Sequence, residues 1–194
     1  MKPVRVAVVL AAVAALLLQA GDLRRGEDRV GIAAPELGLK HWLNSPPREI
    51  AQLRGKVVLI RWWTEGCPFC AATAPALREL DRKYARSGLV VIGIFHPKPP
   101  GDWSVERMRR ASERLGFTFP VALDGDWAAL GRWWPDFENR GWTSVSFVVD
   151  KRGIIRYVHP GGEFHRAGAG DDGHAGCERD YREIERVIGR LSGE

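Results

Sequence analysis

Apolar and polar positions alternate along the chain in blocks of different period. Lys56-Val57-Val58-Leu59-Ile60-Arg61-Trp62-Trp63 is a nearly unbroken apolar run, and Leu89-Val90-Val91-Ile92-Gly93-Ile94-Phe95 is a second. Runs of this length without alternation predict strands covered on both faces, as in the middle of an α/β sheet. Residues 71–87 between them have helical spacing. Leu77, Leu80 and Tyr84 form one stripe, Arg78, Glu79, Arg82 and Lys83 lie outside it, and Gly88 supplies the stop. Strand, helix and strand at this spacing predict a right-handed βαβ unit.

The same pattern extends in both directions. A turn-rich break at 97–101 leads to a helix over 104–115, with Ser104 as N-cap and Gly116 as stop. A short strand at 119–123 and a helical segment at 127–134 follow. Strands at 144–149 and 154–159 are joined by Asp150-Lys151-Arg152-Gly153, a hairpin signal. Residues 161–176 are rich in Gly, Asp and His and aperiodic, hence a loop. A final amphipathic helix over 178–191 turns Tyr181, Ile184, Val187, Ile188 and Leu191 inward. Upstream, 30–44 predicts short extended pieces with a hairpin among them, and 21–29 is a polar spacer. No internal repeat is present. The order is βαβ, an inserted helix, then ββα, which predicts a three-layer α/β/α sandwich around a mixed sheet.

Residues 1–20 differ from the rest. Lys2 and Arg5 precede an apolar run over 6–18, and Gln19-Ala20-Gly21 closes it. This is the layout of a signal peptide, although Leu18 stands where a small residue is preferred, so an uncleaved N-terminal membrane anchor competes. The run is short against the roughly 20 residues of a spanning helix. Either way the folded part, 30–194, is expected to be exported to the periplasm, soluble or tethered to the inner membrane.

Composition narrows the function. The chain has 194 residues, 45% of them hydrophobic and 27% charged, a length that suits one domain with modest additions. The formal net charge of +5 is spread along the chain without a basic block, which argues against nucleic acid as a partner. Three cysteines, Cys67, Cys70 and Cys177, are too few for a disulfide scaffold. Two form Cys67-Pro68-Phe69-Cys70, and C-x-x-C carries redox or metal chemistry. No second C-x-x-C completes a zinc site, and Ala71 stands where haem attachment needs His. Neither a cofactor nor a metal is therefore expected.

A strand that delivers Cys67 to a helix N-terminus places its sulfur among free backbone N–H groups at the positive end of the helix dipole. The thiolate is the nucleophile, so this placement predicts a lowered pKa at Cys67. Cys70, one turn on and further inside, is placed to attack a mixed disulfide and release the product. Pro68 fits the first helical turn, where its missing N–H costs nothing.

The stretch Trp63 to Leu77, with Cys-Pro-x-Cys and then Pro75, resembles the TlpA/ResA-like branch of the thioredoxin superfamily, which merges with the AhpC/TSA redoxins. Gly55-Lys56-Val57-Val58-Leu59 resembles its first strand, residues 147–155 its late hairpin, and Pro35 with Trp42-Leu43-Asn44 its N-terminal extension. The resemblance covers 31–191. It implies a thioredoxin fold and thiol-disulfide exchange with a protein or small-thiol substrate, without a cofactor and with a membrane electron donor as a candidate partner. Cys67 is then the nucleophile and Cys70 the resolving thiol, with Trp63, Thr64 and Pro68 in support and Thr143 and Ser144 on the facing loop.

Three departures stand out. Gly66 replaces the aromatic residue that usually precedes the first cysteine. Ser144, within Thr143-Ser144-Val145, replaces the cis-proline, and a trans peptide is expected because a non-proline cis bond is costly. Arg61 occupies the place of a buried acid under the second cysteine. A cation there favours thiolate and a more oxidising pair, unless it forms a salt bridge at the sheet edge; Glu65 pushes the other way. Thr64, three residues before Cys67, matches part of a peroxidase signature, but Ile60 stands where that signature has Pro. A thiol peroxidase using Cys67 is thus one alternative. A copper-handling chaperone is another, weakened by the C-x-x-C spacing. Cys177, at the start of the last helix, is a candidate third redox thiol. His159, His165, His174 and Cys177 are close in sequence, and His174-x-x-Cys177 has ligand-like spacing, but a solvated loop accounts for them as well. Most of the eight Trp residues are expected in the core.

Overall fold

The computed structural model describes residues 25–101, 104–168 and 172–194, so the export segment expected at 1–20 and most of the spacer's first half lie outside the described residues. Six strands form one sheet: β1 (Trp42–Leu43), β2 (Val57–Trp63), β3 (Leu89–Phe95), β4 (Val121–Leu123), β5 (Ser146–Val149) and β6 (Ile155–His159), in the order β1-β4-β3-β2-β5-β6. β2, β3 and β4 are parallel, while β1, β5 and β6 pair antiparallel with their neighbours. The helices are α1 (Pro68–Tyr84), α2 (Val105–Arg114), α3 (Ala128–Trp133), α4 (Phe137–Arg140) and α5 (Ala175–Gly193). The expected mixed three-layer sandwich is the observed one.

β2 is central and buried along its whole length. Strand side chains alternate between faces. Val57, Leu59 and Trp63 therefore join Leu77 and Leu80 of α1 and Ile184, Val187 and Ile188 of α5 on one face. Val58, Ile60 and Trp62 join Leu130, Trp133, Trp134 and Phe147 on the other. Two helical layers on one strand explain the unbroken apolar run. Arg61 shares the face of Leu59 and Trp63, directly beneath α1.

Three elements differ from expectation. Residues 30–44 form no hairpin; they reach the two opposite edges of the sheet instead. Ala33 bridges Ile154 beside β6, with Gly31 N–H donating to the Ile155 carbonyl at 2.8 Å, and Trp42–Leu43 pairs with Ala122 and Val121 of β4. Edge backbone groups are thereby paired. α1 begins at Pro68, three residues earlier than the expected start at 71, because proline at N1 and a capping sulfur at Cys67 start it. α5 likewise starts at Ala175, and the loop before it contains a 3-10 turn, Asp172–His174. α4 was not expected; four residues carry too little periodicity to predict. α3 starts without a cap from its own N-cap residue, Trp127; Asp124 supplies one from a distance, accepting from Ala129 N at 3.1 Å, Leu130 N at 2.8 Å and the Trp62 indole at 3.1 Å. No helix among the described residues is long and apolar enough to cross a membrane.

Candidate active site

The C-terminal end of β2 hands the chain to α1 through Thr64-Glu65-Gly66, and Gly66 makes the turn at φ 71°, a left-handed conformation that glycine adopts without strain. An aromatic residue there would be strained, which gives the departure at Gly66 a physical reason. Cys67 is the N-cap of α1, and its sulfur accepts from Cys70 N–H at 3.2 Å. The two free thiols lie with their sulfurs 2.6 Å apart. Bridging them needs only a small sulfur movement. Cys67 is half-buried and meets solvent, whereas Cys70 is 2% exposed.

The groups that stabilise charge gather around Cys70. The Ser144 hydroxyl lies 3.3 Å from its sulfur. Arg61, 1% exposed, donates to Ser146 Oγ at 3.2 Å and to the Gly162 carbonyl at 2.6 Å, and its guanidinium lies 5.7 Å from the Phe164 ring centre. No carboxylate pairs with it among the described residues, and its Nε has no partner. A salt bridge at the sheet edge is ruled out on both counts, since β2 is central. Burial pulls the Arg61 pKa down, and the cysteine sulfurs pull it back up, Cys70 first. A buried guanidinium without an anion is costly, and the ionisable group that acts on it most strongly is the Cys70 thiol.

The two thiols titrate as a unit. Cys70 is brought down to about 5, first by the hydrogen bond from Cys67, then against burial by Arg61, Ser144 and the Thr64 backbone. Cys67 is pushed up, first by its hydrogen bond to Cys70, then by burial and the charge on Cys70. The helix N-terminus was expected to lower Cys67. The Cys70 N–H does reach that sulfur, but the shift at Cys67 is upward, and the groups that favour a thiolate, Arg61 and Ser144, lie beside Cys70. Glu65, expected to oppose thiolate, is turned away into ion pairs with Arg107 and Arg114.

Thr143 and Ser144 lie on the facing loop as expected, but only Ser144 touches the pair. Thr143 Oγ1 bonds His96 Nε2 at 2.8 Å, and His96 Nδ1 bonds the Trp63 carbonyl at 2.9 Å. The only cis peptide among the described residues is Lys98–Pro99, so Ser144 follows a trans bond. His96 was not picked out from the sequence. It is fully buried, and burial lowers its pKa to about 3, so it is a neutral brace between the β2 end and the facing loop. Its signal is faint: a histidine directly after the apolar run that becomes β3.

Trp63 is core, packed on Phe95 and Phe117 at 4.9 and 5.2 Å. Thr64 is buried and Pro68 exposed. A groove of about 300 Å³ opens beside Cys67, lined by Trp63, Thr64, Pro68, Ala111, Arg114 and Leu115 among others. On the other flank Phe69 and Trp142 are 38% and 45% exposed and meet edge to face at 5.3 Å. Exposed aromatic pairs beside a reactive sulfur form a ready apolar contact surface. Trp62, Trp63, Trp133 and Trp134 are in the core as expected.

Cys177 is not beside the pair. Its sulfur contacts are Glu163 Oε1 at 3.6 Å and His174 Nδ1 at 3.7 Å. Burial first, then Glu163, raises its pKa, which works against thiolate formation at this candidate third redox thiol. Glu163, His165, His174 and Cys177 bring four donor atoms together within 4.8 Å of one another. His159 stands apart, buried, with Nε2 3.3 Å from Asp180.

A mixed sheet in this order, with a Cys-x-x-Cys at the start of the helix after the central strand, defines a thioredoxin fold. Among solved structures the chain is similar to a thioredoxin-like superfamily protein (TM-score 0.66, 21% identity, covering 84% of this chain and 97% of that one). It is also similar to a thiol-disulfide isomerase from Corynebacterium glutamicum (TM-score 0.59, 26% identity, covering 83% and 97%). Residues 30–158 match the AhpC/TSA family, and the chain belongs to that family. The thiol-disulfide oxidoreductase ResA of Geobacillus kaustophilus is 28% identical over 132 residues, 68% of this chain and 70% of that protein. Protein DipZ of Mycobacterium bovis is 33% identical over 129 residues, 64% of this chain, and the match spans only 18% of DipZ.

Proposed function

We propose that the chain is a thiol-disulfide oxidoreductase acting on exported proteins or small thiols through Cys67 and Cys70. The observation that carries this is a solvent-facing sulfur at a helix N-cap, 2.6 Å from a buried sulfur whose thiolate a buried arginine without a carboxylate partner favours. The relatives named as thiol-disulfide oxidoreductase and isomerase support the same activity.

Cys67 is the nucleophile because it alone of the pair meets solvent. In the oxidising direction a substrate thiolate attacks Cys67 Sγ of the protein disulfide. The Cys67–Cys70 bond breaks, a mixed disulfide forms, and Cys70 leaves as a thiolate beside Arg61 and Ser144. A second substrate thiolate then displaces Cys67, which takes up a proton. The substrate loses two electrons and the pair gains them. In the reducing direction each step reverses: Cys67 attacks, and Cys70 resolves. A low-pKa leaving group leaves faster, so Arg61 favours the oxidising direction. Phe69 and Trp142 offer the apolar surface for an extended substrate.

The test is trapping. Cys70→Ser should accumulate a mixed disulfide with glutathione or a reduced model protein, whereas Cys67→Ser should not. Turnover should fall at least about 100-fold in both. Peroxide turnover that needs Cys67 but survives Cys70→Ser would replace this function with that of a thiol peroxidase.

A further inference from the structure

The contacts of the Cys177 sulfur are with Glu163 and His174 and not with the Cys67–Cys70 pair, and they are arranged. Glu163 Oε1, His174 Nδ1 and Cys177 Sγ form a triangle with sides of 3.6, 3.6 and 3.7 Å. One face of a tetrahedron around zinc, with bonds of about 2.0–2.3 Å, has edges of about 3.3–3.7 Å. His165 completes the set, its ring centre 4.9 Å from that of His174. Its Nδ1 faces the Arg166 carbonyl at 3.0 Å, so the proton belongs on Nδ1 and the free lone pair on Nε2. A metal-bound histidine is held in this way by a backbone carbonyl on its other nitrogen.

The loop is held in place from several sides. The Gly162 carbonyl takes Arg61, and Phe164, fully buried, donates its N–H to Thr73 Oγ1 at 3.3 Å, so Glu163 sits between two fixed residues. His165 N–H reaches the Cys177 carbonyl at 3.3 Å, and Ala167 N–H reaches Glu178 Oε2 at 2.7 Å. These bonds tie the loop to the first turn of α5, which carries Cys177 three residues after His174. All four residues are half-buried, and the His174 side chain is 43% exposed. A Glu163–His174 ion pair alone accounts for neither the sulfur turned to the same point nor the second imidazole.

We propose that Glu163, His165, His174 and Cys177 bind one zinc ion, at a site separate from Cys67 and Cys70. Thiolate and imidazole donors disfavour calcium and magnesium, which take oxygen. Four protein donors fit a closed, structural zinc site. Binding displaces the Cys177 proton to solvent and forms the Zn–S bond with no change of oxidation state. One thiolate and one carboxylate then balance the two charges of the ion.

The test uses the full chain carrying Cys67→Ser and Cys70→Ser, under reducing conditions, so that Cys177 is the only cysteine left. Titration with zinc against a chromophoric chelator should give one equivalent bound. Titration with cobalt should give a thiolate-to-cobalt charge-transfer band, which can then arise only from Cys177. Adding Cys177→Ser should abolish that band, and His174→Ala should weaken zinc by more than the roughly 10–100-fold typical of losing a supporting hydrogen bond. Circular dichroism checks that each variant is folded. Absence of zinc binding and of the cobalt band in the folded double variant overturns the proposal. So does zinc affinity that is unchanged by both ligand substitutions.

Discussion

Arg61→Met is the substitution with the most to say about this protein. It keeps a long apolar stem in the β2 position under α1 and removes the buried charge. Cys70 is brought down to about 5 from an ordinary thiol value of 9.0. The hydrogen bond from Cys67 is the largest lowering cause and Arg61 the next. An opposite charge beside an ionising group lowers its pKa by about 1–3 in general, and the lower half of that range is about 1.4–2.7 kcal/mol of thiolate stabilisation. That stabilisation belongs to the reduced protein only, because the disulfide has no anion for Arg61 to meet. For a two-electron couple about 1.4 kcal/mol corresponds to about 30 mV. The variant's potential should therefore fall by about 30–60 mV at pH 7, towards the reducing side. Arg61→Lys, which keeps a charge, should recover part of the shift. The assay is equilibration with glutathione buffers, reading the oxidised fraction after acid quench and thiol labelling. A variant with unchanged or higher potential, while Arg61→Lys behaves in the same way, would refute the reasoning, because the guanidinium would then not be the partner of the thiolate.

Other outcomes follow from the same geometry. The reduced protein holds its first thiol proton to about pH 5, the unfolded chain to about pH 9.0. Between these values the unfolded state binds one more proton, so stability of the reduced form should rise by about 1.4 kcal/mol per pH unit and be lost as pH falls through 5. The oxidised form should lack this slope, and parallel denaturant curves for the two forms would contradict it. His96 stays neutral to about pH 3 in the fold but titrates at 6.5 when unfolded, so its contribution is lost as pH falls from 6.5 towards 3. His96→Gln should lose about 3 kcal/mol less than the parent between pH 6.5 and 4, measured by urea unfolding. Replacing both Phe69 and Trp142 by Ala should raise KM for a protein substrate about fivefold, the equivalent of about 1 kcal/mol of aromatic contact, and leave glutathione exchange unchanged.

The architecture was legible where burial dictates composition. β2 and β3 were readable because helices on both faces demand an unbroken apolar run, and the inward stripe of α5, from Tyr181 to Leu191, is fully buried as expected. Cys67, Cys70, Arg61 and Ser144 were legible because the local order strand, cysteine and helix, together with the resemblance, fixes their neighbourhood. What escaped depends on contacts between distant segments. His96 is defined by Trp63 and Thr143, 33 and 47 residues away, and Asp124 by the indole of Trp62. The 30–44 segment carried extended pieces, but which strands they join is decided by the open edges at β4 and beside β6. The helix N-terminus and the buried cation were both legible, but their balance was not: Arg61 and Ser144 lie beside Cys70 and favour its thiolate, while the shift at Cys67 runs upward. Glu163 showed no signal of its own, since its two partners follow in a loop and on a helix start.

The central claim is that Cys67 and Cys70 form a reversible redox pair poised by Arg61. The most direct measurement is the reduction potential of that pair in the full chain, with the bridge located by mass spectrometry of the peptide that contains both cysteines. The account predicts an intramolecular Cys67–Cys70 disulfide with a potential well above the −270 mV or so of thioredoxin, displaced towards the roughly −120 mV of a strong oxidant. No Cys67–Cys70 disulfide at any glutathione poise would contradict the redox pair itself, and a potential at or below about −270 mV would contradict the role given to Arg61.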